Sequence, residues 1–185
     1  MIKQFLRRLR RPKTKAVKVI VDGENLLHTL KELKREDIEV SKILASSKEI
    51  LKKGEEIKEI YFFDTYHEGD LSQGLLRKAL KRDTRAKVIM KREKAIIRGM
   101  TWKSRIDPYI NVEIMVTTWQ PEYGKIILFS VDSDFEAPLR KIKEWGIKSA
   151  VISSRSSLSK ELKAAADQVI YLEDFLTEIA GEEVA

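Results

Sequence analysis

The 185-residue chain contains no cysteine. That excludes a disulfide framework, a thiolate metal centre and a cysteine nucleophile. Histidine is nearly as scarce. His28 and His67 have no partner in the sequence, so a histidine-rich zinc site is not expected and both read as structural or surface groups. No apolar run approaches the roughly 18 residues that would read as a membrane span. Charges stand at the N-terminus where a signal peptide needs its apolar segment. These absences lead to the expectation of a cytoplasmic protein without a membrane span.

Acid is also missing locally. Residues 1–15 carry Lys3, Arg7, Arg8, Arg10, Arg11, Lys13 and Lys15 with no Asp or Glu, so this arm accounts for the whole formal charge of +7. Within the neutral remainder, residues 77–105 hold 12 Lys and Arg against Asp83 and Glu93. Two basic regions on an otherwise acidic body suit a polyanion, because neutralising phosphates releases counterions. Length and a hydrophobic content of 43% predict one domain over 16–180 behind a basic arm at 1–15.

Strand-like and helix-like patterns alternate after the arm. Strands are predicted near 17–22, 57–63 (ending in Asp64), 87–90, 125–131, 147–152 and 168–171. Helices are predicted after the first strand on Leu26, Leu27, Leu30 and Leu33, over 41–53, around Leu71 to Leu80, and over 109–120, 135–145 and 158–165, with a last one from 173. Residues 91–108 read as a loop or irregular hairpin closed by Pro108. The alternation predicts an α/β fold with three layers, α/β/α, around a central, mainly parallel sheet.

Two of these apolar runs end in carboxylate motifs: Val17–Val21 leads into Asp22-Gly23-Glu24-Asn25, and Ile126–Val131 into Asp132-Ser133-Asp134. Ligands of open α/β sheets collect outside the carboxyl ends of the strands, so both motifs are placed to share one crevice. Clustered oxygen ligands there point to Mg²⁺ or Mn²⁺. Each motif also has a plainer explanation: Asp22 and Asp134 suit helix N-caps, and Asp132 an Asx-turn. Two carboxylates separated by one residue repel each other unless a cation or solvent intervenes, and the combination therefore favours a site.

With Tyr61-Phe62-Phe63-Asp64, Leu158-Ser159-Lys160-Glu161-Leu162 and Ala165-Ala166-Asp167, these motifs run through about residues 16–175. As a set they resemble the NYN domains of the PIN-like nuclease superfamily. The resemblance implies a PIN-like fold, a carboxylate cluster holding Mg²⁺ or Mn²⁺, and cleavage of RNA phosphodiesters. By position it assigns catalysis to Asp22, Asn25, Asp132 and Asp134, and metal binding to Asp22, Asp132 and Asp134. Ser130 and Ser133 are placed to add hydroxyl or backbone contacts. Relatives carry a Gly-Val-Asp-Val-like element where this chain has Tyr109-Ile110-Asn111-Val112. Asn111 offers a carbonyl oxygen without the charge that draws Mg²⁺ from water, and Asp107 or Glu113 are its substitutes if the helix is turned differently.

Lys87, Lys91, Arg92, Lys94, Arg98, Lys103 and Arg105 are candidate phosphate contacts, and Trp102 a base-stacking group. Asp64 reads as a supporting acid or a turn residue, Trp145 as core beside Leu139 and Ile142, and Trp119 is undecided. The expected partner is RNA, and assembly into a homo-oligomer stays open. Competing readings are an NYN-type RNA-binding module impaired in catalysis at Asn111 and, more remotely, a metal-dependent glycosyltransferase or phosphatase.

Overall fold

Short apolar runs, rich in Val and Ile, pair through their backbones because both of their faces can be buried under helices. In the computed structural model, which describes residues 16–66, 78–92, 96–97, 100–101 and 106–182, there are eight such strands. They are β1 (Ala16–Asp22), β2 (Glu56–Tyr66), β3 (Ala86–Arg92), β4 (Ile96–Ile97), β5 (Met100–Thr101), β6 (Tyr123–Phe129), β7 (Lys148–Ser153) and β8 (Gln168–Tyr171). Six of them form one sheet in the order β3-β2-β1-β6-β7-β8, with every pairing parallel. β4 and β5 form a small antiparallel pair, within the stretch expected from the sequence to be a loop or irregular hairpin.

The helices are α1 (Gly23–Glu32), α2 (Val40–Ser46), α3 (Asp107–Val116), α4 (Glu136–Glu144), α5 (Lys160–Ala165) and α6 (Leu172–Glu182). Alternation along β1 sends Val17, Val19 and Val21 to one face, against Leu26 and Leu30 of α1, Ile43 of α2 and Phe175 of α6. Ile20 points to the other face, against Ile110 and Ile114 of α3, Leu139 and Ile142 of α4, and Leu162 of α5. This is the three-layer α/β/α architecture. The chain winds outward from β1 to β3, returns beside β1, and winds outward again from β6 to β8. The crevice of the sheet therefore opens between β1 and β6 at their carboxyl ends.

Several boundaries differ from the sequence reading. β2 continues past Asp64 to Tyr66, because β3 pairs with it as far as Arg92. Pro108 does not close the preceding loop. It sits in the first turn of α3, where a missing N–H costs nothing. Trp145 is only partly buried, at the C-cap of α4. That helix ends as expected at Gly146, whose φ of 76° suits glycine.

Candidate active site

Asp22 is the last residue of β1 and the N-cap of α1. Its Oδ1 accepts the Asn25 backbone N–H at 3.2 Å, and its Oδ2 accepts both the Asn25 side-chain amide and, at 3.2 Å, the Ser130 hydroxyl. Gly23 is required at this junction. A Cβ there would lie 2.7 Å from both the Phe63 carbonyl oxygen and the Phe62 ring, so α1 starts hard against β2 only because residue 23 has no side chain. Burial raises the Asp22 carboxyl to a pKa of about 6, against the hydrogen bonds from Asn25 and Ser130 that lower it. Asp107 adds a smaller repulsion in the same direction.

Across the crevice, β6 ends at Phe129 and the chain turns through Ser130 and Val131 into a 3₁₀ turn, Ser133–Phe135. The Asp132 Oδ1 accepts the Asp134 N–H at 2.9 Å, an Asx-type cap. Ser130 ties the two motifs together, because its oxygen also accepts the Asp132 N–H at 3.2 Å. Asp134 does not cap α4, whose N-cap is Phe135 without a side-chain bond. Its carboxylate is exposed and available.

The third contributor comes from α3. Asp107, Asp132 and Asp134 each bring a carboxylate oxygen within 4.8 Å of the others. Asp107 titrates above its ordinary range, chiefly through burial and then through repulsion from Asp132, Asp134 and Glu24. One turn on from Asp107, Asn111 has a buried Oδ1 without a hydrogen-bond partner. A concentration of acid beside an unsatisfied carbonyl oxygen fits a hard divalent cation. Asp22 is not one of these three, and both of its oxygens accept hydrogen bonds.

Of the two α3 acids weighed as substitutes for the charge missing at Asn111, Asp107 is the one in place. Glu113 turns the other way and accepts from Lys18 Nζ at 2.5 Å. Lys18 lies inside β1 with no exposed surface, bonded also to Gln120 at 2.6 Å and flanked by the Tyr61 and Tyr123 rings. The sequence reading missed this residue. Its signal was a lone charge inside a strand covered on both faces, which demands a buried partner.

The remaining positions divide by location. Asp64 is buried within β2 and accepts the Thr65 N–H, so it occupies no turn. Lys87 stands on β3 beside Glu59 and the Tyr61 hydroxyl, with its pKa raised by those bonds. Lys91 and Arg92 end β3 opposite Thr65 and Tyr66, which puts their backbone at the carboxyl edge of the sheet. His67, Lys94, Arg98, Trp102, Lys103 and Arg105 lie outside the described residues. His28 is a surface group beside Glu32.

The NYN domain profile matches residues 16–173. The chain belongs to the NYN domain family. This places it in the PIN-like nuclease superfamily. A crystal structure of a protein of unknown function from Vibrio parahaemolyticus is similar to this NYN domain, with a TM-score of 0.70 at 17% identity over 88% of this chain and 96% of that one. At that identity the likeness speaks to fold alone. No curated protein matches the sequence. Among the described residues, no helix of this NYN domain is long and apolar enough to cross a membrane.

Proposed function

We propose that this NYN domain is a divalent-metal-dependent endoribonuclease that works with Mg²⁺ or Mn²⁺. The observation that carries the reading is the convergence of Asp107, Asp132 and Asp134 at the carboxyl ends of β1 and β6, beside buried Asp22. Asp107, Asp132 and Asp134 would hold the ion, with Asn111 as a neutral oxygen donor. Such an ion supplies Lewis acidity, which makes water nucleophilic at neutral pH and draws charge from phosphate oxygens. Asp22, held by Asn25 and Ser130, is ionised at neutral pH yet basic enough to take a proton from an attacking water. Lys91 and Arg92, on the same edge, together with the other basic residues of 87–105 and the arm, supply phosphate contacts. RNA is the partner to which the family points, and no described group reads individual bases.

Membership of the NYN family favours this reading over the glycosyltransferase and phosphatase readings. Asn111, neutral where relatives carry an acid, favours one alternative, a module that binds RNA without cutting it. The deciding experiment is cleavage of a labelled single-stranded RNA with Mg²⁺ or Mn²⁺, comparing wild type, Asp132→Asn and an EDTA control, with binding recorded in parallel. Metal-dependent cleavage that vanishes in Asp132→Asn while binding persists is the expected result. RNA bound but intact with both metals would leave the binding module.

A further inference from the structure

Helix α3 has a second face. It carries two acids, and both are turned away from solvent partners: Asp107 toward the acidic group and Glu113 inward to Lys18. Its core side is Ile110 and Ile114. What remains outward is Tyr109, Val112 and Val116, continued by Trp119 in the 3₁₀ turn Thr117–Trp119. All three large apolar side chains that stand exposed among the described residues lie on this stripe: Tyr109 at 47%, Val112 at 61% and Trp119 at 75%. In a chain that is 35% charged, a helix face with no charge on it is the exception. Contiguous exposed apolar surface of this kind marks an interaction site.

We infer that this face is the contact between two copies of the chain, packed antiparallel about a two-fold axis between Val112 and Val116, toward the C-terminal end of α3. The spacing of the stripe carries the choice of occupant. Steps of three, four and three residues from Tyr109 to Val112, Val116 and Trp119 read the same in both directions. A reversed copy therefore places valine against valine and aromatic against aromatic, the self-complementarity that a two-fold contact requires. Two chains of charge +7 thus meet where neither stripe carries any charge. The three exposed side chains offer on the order of 400 Å² per copy, which with their surroundings reaches the ~1,000 Å² total of a specific interface. This pairing does not depend on the nuclease reading.

The test is sedimentation equilibrium of the full chain across the micromolar range. Wild type is expected as a dimer, with Val112→Glu weakening it at least about tenfold and Lys160→Glu, exposed at the start of α5, leaving it unchanged. Because the chain has no cysteine, Val112→Cys/Val116→Cys supplies a second readout, a covalent dimer on mild oxidation. A wild type that stays monomeric, or a dimer indifferent to Val112→Glu and not captured by the cysteine pair, overturns the inference. So does a monomer whose Trp119 fluorescence shifts when residues 1–15 are removed, since the arm would then be the occupant.

Discussion

At the scale of single residues, Asp22 carries a conflict between stability and chemistry. Its carboxyl titrates near 6 in the folded chain and near 3.8 when unperturbed. The folded state therefore holds the proton more tightly, and as pH rises from about 4 through about 6 folding is progressively disfavoured, by at most ~3 kcal/mol. Asp22→Asn keeps a capping oxygen and removes the buried charge. We expect it to raise the melting temperature by about 2–6 °C at neutral pH, to flatten stability across that pH window in urea titrations, and to abolish cleavage. A lower melting temperature would show that the hydrogen bonds outweigh desolvation. Gly23→Ala is the opposite case. Its added carbon meets a backbone oxygen that cannot move cheaply, so urea unfolding should report a loss of about 2 kcal/mol or more.

Among elements, α3 decides whether the site is complete. Two anchors orient it: Ile110 and Ile114 in the core, and Glu113 on the buried Lys18. Lys18→Met leaves Glu113 facing a dry strand without its cation, and should cost about 3–5 kcal/mol in chemical denaturation. Lys18→Met/Glu113→Leu should recover most of that, because an apolar pair of similar volume avoids the desolvation penalty. If the double variant is no better than the single one, the pair is not what holds the helix. Asp107, at the other end of α3, should matter for metal rather than for folding. Asp107→Asn is expected to weaken Mn²⁺ binding by about 10–100-fold in calorimetry, since it removes charge from a hard-ion site.

For the whole molecule the controlling quantity is the placement of charge. An acidic group at the crevice repels phosphate, so binding must come from the basic regions around it. RNA affinity should fall steeply with salt, with a logarithmic slope of about −0.7 for each phosphate neutralised on a single strand. Deleting residues 1–15, which hold seven of the cations, should make that slope shallower and leave the cleavage rate at saturating RNA unchanged. An unchanged slope would place the arm away from the nucleic acid.

Much of this architecture was legible without coordinates. Runs such as Val17–Val21 and Ile126–Phe129 can only be strands covered on both faces, and each ends in an acid-rich motif at the edge where parallel strands present ligands. The pattern is local, and so is the capping chemistry of Asp22 and Asp132, which made the strands and the crevice readable from residue types and spacing, whereas the order of the strands in the sheet came only with the structure. The choice between Asp107 and Glu113 was not readable. Both lie on one helix, 6 residues apart, and which one meets Asp132 and Asp134 depends on how α3 is rotated. That rotation is set by Ile110 and Ile114 in the core and by a lysine about 95 positions earlier in the chain. The shelter that raises the Asp22 pKa likewise comes from packing between α1, β2 and β6. Periodicity specifies which face of an element is apolar, but only long-range contacts decide where the rest of its surface points.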